Sequence, residues 1–230
     1  MTEREWYAEP WFIASGVFLA VLVIAGSAFL LVGDGGGSTA RTVAQKTRHV
    51  DTGGSVCGLP VGNTDPVVGP PDARWTLVGK IAAPYKAGIG PGVIDGHDRR
   101  CFAHSPVGAL LAAANFLPTT TAASAADARM LLAHFLPGRV VDVYAKQPSP
   151  PVDPAARVQI AGFRVTVVSR DAVDVTLALQ TNVQGGVMVS CLYPMRWFRG
   201  DWRVRLGSLQ EPFVVEAPVT LDGFVRWAGA

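Results

Sequence analysis

The chain has 230 residues, of which 49% are hydrophobic, and its formal net charge is +2. Its mean hydropathy of +0.28 is high for a soluble domain, and much of the excess lies in one block near the start. The near-neutral charge balance and the lack of a long basic run argue against direct binding to nucleic acid. The rest of the chain is long enough to bury one hydrophobic core, so we expect a single domain.

The apolar block is residues 11–32, WFIASGVFLAVLVIAGSAFLLV, and it holds no charged residue. A helix of this length crosses a hydrocarbon core of about 30 Å, and in lipid a helix satisfies its own backbone polar groups. A cleavable signal peptide is the alternative, but it needs a basic start and a shorter apolar run. Residues 1–10 are net acidic. We therefore predict a permanent transmembrane helix that follows a short N-terminal tail.

Residues 33–72 are rich in Gly, Pro, Thr and Asp without a period, which predicts a flexible tether. Arg41, Lys46 and Arg48 follow the apolar block closely, and by the positive-inside rule alone they favour a cytoplasmic domain. The chain has three cysteines, which fit either one disulfide plus a free thiol or three free thiols.

The domain is predicted over residues 73–230, and its first part is helical. A short strand at residues 75–79 and a Gly/Pro/Asp loop at residues 84–98 come first. Ser105 and Pro106 form an N-cap and N1 pair, which opens a helix that runs to about Phe116 and is stopped by Pro118.

Two further helices are predicted before the strands begin. Ser124 and Asp127 resemble a capping box, and apolar residues recur at helical spacing from Ala128 to Phe135. Pro137 and Gly138 end this second helix, and residues 139–146 fit a short third one.

From residue 157 onward the apolar period changes to two. Strands are predicted at residues 158–169, 173–181, 187–198 and 202–206. Pro194 suggests an edge or a bulge in the third of these strands. Helices followed by a run of antiparallel strands predict an α+β domain.

The polar residues form no recognisable catalytic or metal-binding constellation. His97 and His104 flank Cys101, with Asp95 and Asp98 nearby, but the spacing is not that of a metal site, and a solvated loop is the simpler interpretation. No nucleophile elbow surrounds Ser105, and we expect no metal and no cofactor.

Three other sequence features have simple structural interpretations. The glycines at 88, 90 and 92 are followed by no helix that could receive a phosphate. Arg199-Gly200-Asp201 matches an adhesion tripeptide, but a tight hairpin turn explains it more simply. Asp142 and Tyr144 lie near a helix-to-sheet junction without an evident partner.

The order of elements, ending in the strand pair WFRGDWRV, resembles the nuclear transport factor 2-like cone fold. That fold is used by bitopic assembly subunits of type IV secretion and conjugation machines and by mycobacterial Mce-associated membrane proteins. The stretches CGLP at 57–60 and RCFAHSPVGALLAA at 100–113 are similar to an actinobacterial membrane-protein family. The domain of that family has no assigned activity and is often encoded near mobile-element transfer genes.

The resemblance implies a domain outside the cytoplasm, with the N-terminus inside, and we prefer this orientation to the one that the tether charges favour. That side is oxidising, so a disulfide becomes plausible. The resemblance implies Cys57 and Cys101 as the pair, because both lie in the family-like stretches. Cys191 then fits a buried free thiol, while a Cys101–Cys191 pair stays open.

The resemblance also implies a cone of helices packed on a curved antiparallel sheet, whose cavity Trp197, Phe198 and Trp202 would line. The simpler interpretation of these aromatic residues is core and cross-strand packing. The expected function is a non-enzymatic membrane-anchored interaction subunit of a conjugation or type IV secretion-like machine. Its partners would be the lipid bilayer and other membrane or secretion-complex subunits, and homo-oligomerisation is left open. A small-molecule or lipid-binding accessory protein of a transport system is the alternative, and an enzyme on the same fold is a third hypothesis.

Overall fold

The computed structural model describes residues 53–120, 130–146, 156–182 and 186–229. The predicted transmembrane helix at 11–32 and the Ser124–Asp127 capping box lie outside these residues. None of the helices within the described ranges has the length and apolar character needed to cross a bilayer.

The described part is an α+β domain built on antiparallel pairs of strands, which confirms the predicted fold class at this level. Two small hairpins come first, β1 (Arg74–Val78) with β2 (Ile81–Tyr85), and β3 (Val93–Asp95) with β4 (Asp98–Arg100). The large sheet comprises β5 (Val158–Ser169), β6 (Ala172–Thr181), β7 (Met188–Phe198), β8 (Asp201–Val204), β9 (Val214–Glu216) and β10 (Val225–Arg226). Its order is β10-β5-β6-β7-β8, with β9 also paired to β7.

Strands β5, β6, β7 and β8 were predicted from their alternating apolar residues, and the structure confirms all four. The alternation works because one face of β6 is buried while the other meets solvent or loops, as its burial pattern shows. The short strand predicted at 75–79 matches β1, whereas β2, β3, β4, β9 and β10 were not predicted. The region 84–98, expected to be a loop, contains the end of β2, all of β3 and the first residue of β4.

Pro194 lies in an interior strand, so the expected edge or bulge is wrong. β7 pairs with β6 on one side and with β8 and β9 on the other. The Pro194 carbonyl accepts a hydrogen bond from the Arg205 N–H, just past the end of β8. The proline nitrogen lies on the same side as its carbonyl, between the ends of β8 and β9, so the missing N–H leaves the pairing with β6 intact.

Helix α1 (Pro106–Thr120) lies between the two small hairpins and the large sheet. All of its residues except Val107 are buried, which explains why it is apolar all round rather than on one face. The Ser105 hydroxyl accepts a hydrogen bond from the Gly108 N–H at 3.1 Å, which confirms the predicted N-cap. The helix continues two residues past Pro118, so the predicted stop is wrong.

A second helix, α2 (Arg139–Tyr144), confirms the predicted third helix, and residues 130–133 are helical as predicted for the end of the second. Phe135, just after those residues, packs with Phe116, Tyr193 and Phe213 in a cluster whose ring centroids lie 5.3–6.4 Å apart. These rings join α1 to the large sheet. The core therefore sits between α1 and the sheet.

Gly108 marks the closest approach of α1 to the chain before it. A Cβ atom at this position would lie 1.9 Å from the Ala103 carbonyl oxygen, so the backbone would have to move. We expect Gly108→Ala to lower the free energy of unfolding by about 2–4 kcal/mol, although alanine is intrinsically the better helix former. Chemical denaturation of the purified chain measures this change.

Gly69→Ala is the matched control, because nothing lies within 4 Å of a Cβ at that position. It should leave stability unchanged or raise it by up to about 1 kcal/mol, through the smaller entropy of the unfolded chain. Equal effects of the two substitutions would contradict the close contact at Gly108.

Candidate functional site

Two neighbouring hairpin turns meet at one end of the large sheet. The β5–β6 turn contains Arg170 and Asp171, and the β7–β8 turn contains Arg199 and Gly200. Arg199 and Gly200 have φ values of 51° and 81°, the left-handed pair typical of a type I′ turn. The simpler interpretation of Arg199-Gly200-Asp201 as a tight turn is thus confirmed. We call this part of the domain the turn end of the sheet.

The disulfide Cys57–Cys101 lies beside the turn end and confirms the predicted pair. Its Cα atoms are 6.2 Å apart, and the two cysteines are separated by 44 positions in the sequence. Closing a loop of this length removes about 4 kcal/mol of conformational freedom from the unfolded chain. Cys101 is buried while Cys57 is exposed, so the bridge joins the core to the surface.

Cys191 remains a free thiol, buried in β7, as predicted. Burial raises its pKa to about 12, so it stays a neutral thiol. Burial likewise raises the pKa of the neighbouring Tyr193 well above its usual value. These two groups belong to the core.

Asp201 is a buried carboxylate that holds Cys101 in place. Its Oδ2 accepts from the Cys101 N–H at 2.8 Å, and its Oδ1 accepts from the Phe102 and Trp202 N–H groups at 3.0 and 2.9 Å. Arg203 adds an ion pair at 3.3 Å. Cys101 has a φ of 69°, a conformation that costs a non-glycine residue energy. The carboxylate offsets that cost because it fixes two successive amides.

His104 connects the turn end to the chain that arrives from the N-terminus. Its Nδ1 lies 2.7 Å from the Gly53 carbonyl oxygen, and its Nε2 lies 3.1 Å from the Arg170 carbonyl oxygen and 2.8 Å from the Asp171 carboxylate. All three oxygens accept hydrogen bonds, and the tautomer of the ring decides which nitrogen donates. The ring stacks flat on Trp197, with centroids 4.0 Å apart.

Further hydrogen bonds attach residues 53–62 to the rest of the domain. The Ser55 hydroxyl accepts from the Cys57 and Leu59 N–H groups and lies 3.0 Å from the Cys101 sulfur. The Val56 N–H donates to the Gly200 carbonyl at 2.9 Å, and the Gly62 N–H donates to the His104 carbonyl at 3.2 Å. The part of the chain that is attached to the domain therefore begins before residue 73, inside the segment predicted as tether. We call the set Ser55, Cys57, Cys101, His104 and Asp201 the clasp.

The three aromatic residues predicted to line a cavity take different positions. Trp202 is buried and its Nε1 donates to the Ala103 carbonyl at 3.0 Å, while its ring meets Trp197 edge-on at 5.3 Å. Trp197 supports His104, and its buried Nε1 has no hydrogen-bond partner. Phe198 lies under the Arg199 guanidinium at 5.1 Å. The rings of Trp197 and Trp202 thus support the residues of the clasp.

A second polar cluster lies where β4 meets α1. Asp98 pairs with His134 at 3.0 Å and with Arg100 at 2.8 Å. Burial tends to raise the pKa of Asp98, but these two partners outweigh it and hold the pKa below the usual range. Arg99 is buried, its Nε donates to Asn115, and its Nη2 has no partner.

The other predicted candidates stay apart. His97 supplies only its carbonyl, which accepts from the Thr119 hydroxyl at 3.0 Å. Tyr144 packs its ring on Phe135 at 5.9 Å, and burial raises its pKa to about 12. In the described ranges, no three His, Cys, Asp or Glu side chains converge as a metal site would require. Sequence reasoning missed the roles of His104 and Asp201, because their partners are distant in the chain.

The fold and the clasp define an α+β domain whose N-terminal segment is stapled to one end of its sheet. A sequence family described as a domain of unknown function (DUF8175) matches residues 38–226, and the chain belongs to this family. The match includes the clasp and starts within the predicted tether. Comparisons with curated proteins and with solved structures gave no match.

Substitution of Asp201 tests whether its carboxylate holds the clasp together. In Asp201→Asn one oxygen becomes an NH₂ group, which then faces a backbone N–H that it cannot accept from. We expect the free energy of unfolding to fall by about 2–4 kcal/mol, measured by chemical denaturation with the disulfide intact.

Asp174→Asn is the matched control, since Asp174 forms a partly exposed ion pair with Arg196 at 2.9 Å. Its loss should cost no more than about 1 kcal/mol. If the Asp201 variant were as mild as this control, the carboxylate would not be what holds Cys101.

Proposed function

We propose that the chain is a non-enzymatic, membrane-anchored interaction subunit of a conjugation or type IV secretion-like transfer machine. In this proposal residues 11–32 anchor the chain, the N-terminal tail faces the cytoplasm and the domain lies outside. The domain would adopt the cone-like arrangement that the family resemblance implies, and its surface would bind other subunits.

The observation that carries the proposal is the Cys57–Cys101 disulfide. Structural disulfides persist in oxidising compartments and are rare in the cytosol, so the bridge favours an extracytoplasmic domain over the cytoplasmic one that Arg41, Lys46 and Arg48 favour. Three basic residues in the predicted tether are the weaker argument, because the positive-inside rule is statistical.

The interaction role is supported by how polar groups are used in the described residues. The buried polar side chains of the clasp form their hydrogen bonds with backbone groups, as Asp201 and Ser55 do. Apolar side chains are meanwhile left on the surface, notably Val68 at 86% and Leu77 at 74% exposure. Leu77 matters most here, because an exposed apolar side chain on a strand with an open edge suits pairing with another chain. Leu77 lies on β1, whose only strand partner in the described part of the chain is β2.

Membrane topology is tested by thiol labelling of intact cells with a membrane-impermeant maleimide. Without reductant we expect no label, because Cys57 and Cys101 are bonded and Cys191 is buried. After a membrane-impermeant reductant we expect label at exposed Cys57, and none at that site in a Cys57→Ser variant. Label that appears only after cell lysis would place the domain in the cytoplasm.

Partner binding is tested by affinity purification of the full chain from detergent-solubilised membranes after chemical crosslinking. We expect subunits of a DNA-transfer or secretion complex, with lower recovery for Leu77→Glu than for the control Thr76→Glu. Both residues are exposed on β1 but point to opposite faces of the strand. Recovery of no transfer-machine subunit would count against the proposal, and recovery of transporter components would favour the accessory-protein alternative.

A further inference from the structure

The chain reaches the domain at the turn end of the sheet. Gly53 bonds to His104, and a Cβ on Gly53 would lie 3.7 Å from the Arg170 guanidinium. Val56 is bonded to Gly200 in the neighbouring turn. The segment that leads back toward the proposed anchor therefore starts between the two turns.

The segment between the proposed helix and the domain is short. Residues 33–52 separate the end of the apolar block from Gly53. With the tether composition that the sequence predicts, a segment of this length has a root-mean-square span of about 25 Å, which is shorter than the length of β6, about 33 Å. The turn end is therefore held nearer to the bilayer than the opposite end of the sheet.

The exposed side chains of the turn end combine apolar and basic groups. Val56 is 68% exposed and Val168, just before the β5–β6 turn, is 59% exposed. Arg170 and Arg199 are both exposed on the two turns. Apolar side chains beside basic ones make the turn end amphipathic, which is the property that lets a surface bind in the headgroup region of a membrane.

The charge at the turn end is positive after its ion pairs are taken into account. Arg203 pairs with Asp201 and Arg196 pairs with Asp174, which leaves Arg170 and Arg199 against the single carboxylate of Asp171. No ion pair in the described residues involves Arg170 or Arg199. Two guanidinium groups thus remain available, and guanidinium binds phosphate through paired hydrogen bonds.

We propose that the turn end of the sheet docks on the bilayer, with Arg170 and Arg199 bound to anionic phospholipid headgroups and Val56 and Val168 at the interface. This inference rests on the membrane anchoring in the proposed function and deepens it. The tether raises the local concentration of the turn end at the bilayer, so weak contacts suffice. Each arginine near an anionic surface contributes roughly a fivefold shift toward the docked state.

The test uses the full chain in nanodiscs of phosphatidylcholine, with or without phosphatidylglycerol. A fluorophore is attached to Val168→Cys under non-reducing conditions, where the three native cysteines are bonded or buried. Quenching by brominated lipid reports contact with the bilayer. We expect strong quenching with phosphatidylglycerol, reduced several-fold by high salt and by Arg170→Gln with Arg199→Gln.

Two controls make the test specific. A fluorophore on Gln180→Cys, exposed at the far end of β6, should show little quenching in either lipid. The Arg170→Lys, Arg199→Lys pair keeps the charge and should retain most of the phosphatidylglycerol dependence. Thermal unfolding of each variant shows whether the domain is intact.

The outcomes separate this inference from the proposed function. A chain that inserts into nanodiscs but shows equal quenching at positions 168 and 180 would overturn the docking while leaving the anchor intact. A chain that fails to insert would overturn both. Crosslinking of position 168 to a protein subunit in cells, without quenching in nanodiscs, would assign the turn end to a protein partner and overturn the lipid proposal.

Discussion

The buried carboxylate of Asp201 is the contact on which the rest of the turn end depends. It starts β8 immediately after a type I′ turn and accepts the amides of Cys101 and Phe102, about one hundred residues earlier in the chain. An unpaired carboxylate at this depth would be very unfavourable, so its position is fixed by the donors around it. Those donors set the left-handed backbone of Cys101, and with it the direction of the disulfide. The adjacent Ala103 carbonyl then receives the Trp202 indole and the Ser105 amide, which places the start of α1.

The strands and the helix cap could be predicted because their signals are local. Alternation of apolar residues over ten or more positions identifies β5, β6 and β7, and Ser105 followed by Pro106 identifies the start of α1. The short strands β3 and β4 span three residues each, too few for a period to show among glycines and charges. Pro118 misled the prediction because a proline in the last turn removes only one bond, and the buried helix is stabilised by packing on all sides.

Only part of the clasp could be predicted from the sequence, for a physical reason. The Cys57–Cys101 pairing followed from resemblance, whereas His104 and Asp201 act through oxygens and amides that lie 51 to 100 positions away in the chain. Their residue types suit a surface loop and a turn equally well. Only the folded chain brings Gly53, Arg170 and Asp171 around one imidazole ring. The exposed apolar positions at Val56 and Val168 are likewise visible only once the two turns are known to be neighbours.

The clasp also explains why the domain needs a covalent bond at this place rather than elsewhere. Any pull on the chain before residue 53 reaches the domain through the first attached residues, here 53–57. Hydrogen bonds to a short peripheral segment break one at a time, because such a segment buries little apolar area. A disulfide at Cys57 stops that sequential loss after a few residues, because the force is then transmitted to Cys101. Asp201 and the buried helix α1 hold Cys101 in the core. The same bond keeps Gly53 between the two turns, so the fold itself sets where the preceding chain joins the domain.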